Sequence, residues 1–132
     1  YAQCEEDLRQ SMLKLQNITG KMPKLFRPPY GEYNNNLIEA AESLNLVTIQ
    51  WDVDSLDWMD KTTQQITTRV LNRVKEGSII LFHNNADHIL DVLPLVLDRL
   101  KMRGFKCVKL SELVYFENYI IDSKGEQHLK NA

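Results

Sequence analysis

Three short stretches of this chain carry side chains that could do acid–base chemistry, and each follows a run that reads as a buried strand. Lys24-Leu25-Phe26 leads straight into Arg27-Pro28-Pro29-Tyr30-Gly31. The prolines fix φ and remove two backbone donors, and Gly31 permits a sharp turn, so a guanidinium and the Tyr30 N–H are held on a rigid rim. Trp51-Asp52-Val53-Asp54-Ser55-Leu56-Asp57-Trp58 comes next, and Gly77-Ser78-Ile79-Ile80-Leu81-Phe82-His83 ends a further apolar run on a histidine. An imidazole changes charge near neutral pH and can hand a proton to a departing group. One histidine at the end of a buried strand is most often a core residue. With an Arg, an Asp and a Trp at comparable places, it reads as part of a site.

The elements that must position these groups alternate along the chain. Leu8, Met12 and Leu15 recur at helical spacing and predict a helix over about 5–18, stopped by Gly20. A strand over Lys24–Arg27 follows. Asn34 or Asn35 can cap a second helix with Leu37, Ile38, Ala41 and Leu44 on one side. Leu46–Trp51 is rich in β-branched and aromatic residues and reads as the second strand. Thr62-x-x-Gln65 fits a capping box for a helix whose inner face is Ile66, Val70 and Val74, closed by Gly77.

Ser78–Phe82 is almost wholly apolar, as in a parallel sheet covered on both faces. A fourth helix carries Leu90, Leu93, Leu97 and Leu100 and ends at Gly104, with Pro94 in its first turns or kinking it. Phe105–Leu110 alternates like a last strand, with Cys107 as a small core residue, and a short helix starts at Ser111. The polar tail from Asn118 reads as an extension or a frayed end. This alternation predicts a parallel α/β architecture, whose functional groups gather at the C-terminal ends of strands. Arg27 ends the first strand, Asp57 and Trp58 lie in the loop after the second, and His83 ends the third.

With 132 residues, 43% of them apolar and 26% charged, the chain is one globular domain or a piece of one. A net charge of −2 gives no electrostatic case for nucleic acid or an anionic membrane. No apolar run approaches the roughly 18 residues that a bilayer span needs, and no segment reads as a signal peptide. The chain begins with Tyr rather than Met, as a segment of a longer precursor would. Spacing alone does not pair Cys4 with Cys107, and no Cys-x-x-Cys is present.

With these stretches in this order, the chain resembles the polysaccharide deacetylases of the NodB-homology family, carbohydrate esterase family 4, over roughly residues 5–114. Arg27–Gly31 is similar to the family's third motif, Asp54-x-x-Asp57-Trp58 to the fourth and Leu81-x-His83 to the fifth. The resemblance implies the C-terminal part of a distorted (β/α) barrel with parallel strands. It makes residues 1–117 a partial deacetylase domain and 118–132 a polar extension. It also implies hydrolysis of N-acetyl groups from N-acetylhexosamine polymers such as peptidoglycan or chitin-type glycans, with acetylated xylan a further substrate of the family.

His83 would give a proton to the leaving amine, and Asp57 would hydrogen-bond its ring and fix the tautomer. Arg27 would hold the catalytic-base carboxylate. The Tyr30 N–H would join an oxyanion hole, and Trp58 and Leu81 would form apolar walls, Leu81 near the acetyl methyl. Asp52 and Asp54 are left as loop-shaping residues.

The family's Thr-Phe-Asp-Asp run and His-x-x-x-His pair, which supply that base and the protein ligands of the metal, are not in this sequence. The complete enzyme is therefore expected to use a divalent metal, zinc or similar, for which this chain carries no ligand set, and the chain alone is expected to be inactive. His88 stands five residues after His83, a poor spacing for one helix face, and belongs more simply to a capping loop; His128 is assigned no role. An incomplete barrel leaves two strand edges unpaired. The implied partners are thus the N-acetylated glycan and an N-terminal fragment or second chain that completes the barrel, in an extracellular or cell-envelope setting. The competing readings are a non-catalytic carbohydrate-binding remnant of the same fold and an ordinary α/β structural domain.

Overall fold

In chain order the elements are α1 (Ala2–Thr19), β1 (Leu25–Phe26), a 3₁₀ turn (Pro29–Gly31), α2 (Asn35–Ser43), β2 (Val47–Thr48) and β3 (Val53–Asp54). They continue with α3 (Thr63–Arg73), β4 (Ile80–Leu81), α4 (Ile89–Met102), α5 (Leu110–Leu113), β5 (Tyr119–Ile121) and β6 (Gln127–Leu129). The computed structural model describes residues 1–130. These fall into two units, Tyr1–Gln50 with the segment from Tyr115 onward, and Trp51–Val114.

In the first unit, α1 turns Leu8 inward with Cys4 and Met12, one helical turn apart each time, against Ala40, Ala41 and Leu46. Leu15, expected on that face, is exposed. Gly20 ends the helix in the left-handed conformation, φ 71°, and donates to the Gln16 carbonyl at 2.8 Å. Asn34 caps α2 by accepting the Leu37 N–H at 3.0 Å. The side chains of Ala40 and Ala41 are small enough to be buried completely where α2 meets its neighbours. β1 and β2 run parallel, Leu25 beside Val47 and Phe26 beside Thr48, with α2 as the crossover between them. From Tyr119 to Leu129 the polar tail is not frayed: β5 and β6 form an antiparallel hairpin with Tyr119 opposite Leu129.

In the second unit, β3 and β4 are parallel, Val53 beside Ile80, with α3 as their crossover. The capping box forms as expected: Thr62 accepts the Gln65 N–H at 3.2 Å, and the Gln65 side chain accepts the Thr62 N–H at 2.9 Å. The core is Val53, Ile66, Val70, Val92, Val96 and Leu100, with Ile80, Phe82 and Phe105 packed against it.

Three expectations are corrected here. The strand expected over Leu46–Trp51 appears as the shorter β2, and a separate strand, β3, follows it, so Asp57 and Trp58 follow the third strand rather than the second. On α4, Val92, Val96 and Leu100 are buried and Leu90, Leu93 and Leu97 are exposed. A helix apolar on two sides contains no local signal for which side turns inward, and the β-branched side is the one that fits against α3. Phe105–Leu110 makes no strand, because no neighbouring edge among the described residues supplies its hydrogen bonds. Cys107 within it is accordingly exposed, and neither cysteine is in a disulfide.

Candidate active site

The ladder between β3 and β4 sets up the site. The N–H groups of Val53 and Ser55 donate to the Ile79 and Leu81 carbonyls, both at 3.2 Å. The register is pinned upstream by Asp52, whose carboxylate accepts the Ser78 hydroxyl and the Ile79 N–H, each at 2.7 Å. In one more rung of a parallel ladder, the His83 N–H would donate to the Ser55 carbonyl. It does not, because the chain leaves the strand. Asp54 accepts the Leu56 N–H through Oδ1 at 2.9 Å, an Asx turn, and Leu56 takes φ +54°. The fully buried Ser55 then accepts the Asp57 N–H on its hydroxyl at 3.3 Å.

This turn carries Asp57 into the place of the missing rung. Its Oδ2 accepts the His83 N–H at 2.8 Å, and its Oδ1 lies 2.6 Å from His83 Nδ1. The Asp57 side chain is 0% exposed and that of His83 is 40% exposed. Burying a carboxylate is costly unless its lone pairs are used, and here both oxygens are. An ionised carboxylate only accepts, so the Nδ1 proton must be on the ring and directed at Asp57. That leaves Nε2, on a half-exposed ring, as the nitrogen able to exchange a proton with a bound molecule. Trp58, next to this pair in sequence, is 62% exposed, and Leu81, two residues before His83, is buried. His88 is the N-cap residue of α4 and makes no side-chain cap bond.

Arg27 and Tyr30 belong to the other unit. Pro28 is buried there, and the turn closes by Gly31 N–H to Pro28 carbonyl at 3.0 Å. The Gln50 amide donates to the Gly31 carbonyl at 2.9 Å. Arg27 is exposed and, among the described residues, engages no carboxylate. Tyr30 has φ 59° and a side chain almost wholly in solvent, so the stretch offers backbone and a cation rather than a phenol in a pocket. Ser55, Asp52 and Arg69 were not found by sequence reasoning as parts of this arrangement. The Ser-x-Asp spacing is a weak signal for the Ser55 turn; for the others the partners lie 26 and 15 residues away, as Asp52–Ser78 and Asp54–Arg69 do.

Fold and geometry together define an α/β protein in which a buried carboxylate bonds a half-exposed imidazole at the C-terminal ends of two parallel strands. A family model described as Polysaccharide deacetylase matches residues 1–49. The peptidoglycan-N-acetylglucosamine deacetylase of Bacillus cereus is 33% identical over 117 residues, 83% of this chain and 42% of the relative. The bifunctional xylanase/xylan deacetylase of Cellvibrio japonicus is 37% identical over 86 residues, 65% of this chain and 13% of the relative. The solved structure of a family 4 carbohydrate esterase from Streptomyces lividans, in complex with acetate, matches with a TM-score of 0.70 at 33% identity over 78% of this chain and 53% of that one. The chain belongs to the polysaccharide deacetylase family, carbohydrate esterase family 4. It spans less than half the length of these two curated relatives.

The residues at this pair do not fit a metal: among the described residues, no third carboxylate, thiolate or imidazole joins Asp57 and His83. The trio whose ligand atoms lie within 4.8 Å of one another is instead Asp122, Glu126 and His128, in the β5–β6 hairpin. His128, assigned no role from the sequence, bonds Asp122 Oδ2 through Nε2 at 3.0 Å. The turn itself accounts for the cluster, because Asp122 Oδ1 accepts the Lys124 and Glu126 N–H groups at 2.8 and 3.0 Å. The bond to His128, then those from Glu126 and Lys124, lower the Asp122 carboxyl to about 2.

Proposed function

We propose that the chain supplies the proton-donating part of a glycan N-deacetylase centre, acting on N-acetylhexosamine units of a cell-envelope polymer such as peptidoglycan. The observation that carries this reading is the double engagement of Asp57 with His83, on the ring and on the N–H of the same residue. Hydrolysis of an acetamide adds water to the carbonyl carbon and breaks the C–N bond, giving acetate and the amine. The amine leaves only if its nitrogen takes a proton. His83, protonated on both ring nitrogens, gives the Nε2 proton to that nitrogen and keeps its Nδ1 proton directed at Asp57, ending as the neutral tautomer that the carboxylate selects. Such a positioned acid contributes about 10²–10⁴-fold.

In this reading Trp58 lies against the sugar, Leu81 backs the acetyl methyl, the Tyr30 N–H faces the developing oxyanion, and Arg27 holds a carboxylate base contributed from outside the chain. Residues 1–117 are part of a (β/α) barrel and 118–132 an extension from it. The nucleophile and any metal ligands come from elsewhere in the enzyme, and no step through a metal is derived from these residues. The relative that deacetylates N-acetylglucosamine of peptidoglycan supports the substrate class and the envelope setting.

The test is amine release from peptidoglycan and from chitin oligomers by the complete polypeptide that contains this chain, with and without His83→Ala. Release that falls by about 10²–10⁴-fold in the variant supports the reading. Glycan-dependent shifts of the Trp58 indole signal without any amine release replace it with the carbohydrate-binding remnant.

A further inference from the structure

Arg69 lies in the second turn of α3, partly buried, between the core residues Ile66 and Val70. Its Nε–H donates to the Asp54 carbonyl at 2.8 Å. Neighbouring residues of a strand point their backbone groups to opposite edges. Val53 and Ser55 face β4, so the Asp54 carbonyl faces the other edge of β3, where no strand meets it among the described residues. A side chain from the crossover helix thus takes the part of a neighbouring strand at one carbonyl only. That carbonyl belongs to the last residue of β3, the residue whose carboxylate also opens the turn by accepting the Leu56 N–H. Every later atom on the way to the Asp57 carboxylate is placed relative to it.

We propose that Arg69 is a positioning residue for the Asp57–His83 pair: by holding the Asp54 carbonyl it fixes where β3 ends, and so delivers both carboxylate oxygens to His83. The proposal rests on the reading of that pair as the proton-transfer centre, but its test does not. An Arg69→Gln variant would place the amide nitrogen of its new side chain as many bonds from Cα as the arginine Nε, a donor without charge. Arg69→Met would put a methyl at the same place. The readouts are the NMR titration of the His83 ring, with Asp57→Asn as the reference displacement, and hydrogen-exchange protection of the His83 N–H.

Arg69→Gln is expected to keep the wild-type titration and protection. Arg69→Met is expected to displace the titration in the direction Asp57→Asn does and to lower protection at His83 while Ile66 stays protected. A Met variant that superimposes on wild type overturns the proposal. So does an equal displacement in the Gln and Met variants, which would make the effect one of lost charge acting through space. Where Arg69→Met does not fold, Arg69→Leu, which also lacks a donor, is read the same way. None of these readouts involves glycan, so a failed deacetylation assay leaves the outcome legible.

Discussion

Replacing Asp57 with Asn changes one acceptor into a donor while keeping the shape of the side chain, and the structure dictates which one. The His83 N–H cannot change its nature, so the amide oxygen must face it, at the place where Oδ2 now lies 2.8 Å away. The NH₂ group then faces ring Nδ1, now 2.6 Å from Oδ1. Donor against donor is unfavourable, and the neutral ring escapes by moving its proton from Nδ1 to Nε2.

To act as an acid, that ring would need a second proton at Nδ1, aimed at an amide N–H. The variant therefore loses a charge-assisted bond of about 1.5–3 kcal/mol in the protonated state. At about 1.4 kcal/mol per tenfold, this is about ten- to 150-fold in rate, with the whole general-acid contribution of about 10²–10⁴ as the ceiling. KM should change little, because the substitution touches His83 rather than sugar. The direct assay is the ¹⁵N spectrum of the neutral ring, with the proton on Nδ1 in the wild type and on Nε2 in Asp57→Asn. A variant whose neutral ring still carries its proton on Nδ1 would refute the reasoning, whatever its activity.

Two further outcomes test the packing and the hairpin. On α4, Val96→Ala should cost about 2 kcal/mol in urea unfolding, because its side chain is fully buried against α3, and Leu97→Ala should cost less than about 1 kcal/mol although it removes more atoms; the reverse order would mean that the leucine face is the inner one. In the hairpin, the Asp122 carboxyl is lowered from 3.8 to about 2 by its bonds to His128, Glu126 and Lys124. Its contribution to the hairpin should therefore be complete above 3.8 and fade as pH falls through about 2. The carboxyl ¹³C titration and the Tyr119–Leu129 cross-strand contacts measure this, and a midpoint near the ordinary aspartate value would contradict it.

Local chemistry made much of the scaffold legible. Thr62 and Gln65 announce the start of α3 because their side chains and backbone groups satisfy one another within a single turn. Asn34 marks the start of α2 and Gly20 the end of α1 for equally local reasons. Strand formation needs a second chain segment, which is why the alternating Phe105–Leu110 run misled and the polar tail, carrying its own turn at Asp122–Gly125, proved to be paired.

By itself, then, the sequence determined the order of the helices, the placing of Asp57 and His83 beyond strand ends, and the family to which those motifs point. The tertiary structure alone decided that Asp57, expected at the ring of His83, would take the N–H of the same residue as well. That arrangement depends on a ladder ending one rung early, on a left-handed Leu56 and on an arginine from the crossover helix holding the strand's last carbonyl. Those are contacts between residues 15 and 26 positions apart, and no periodicity or capping rule acts over such separations.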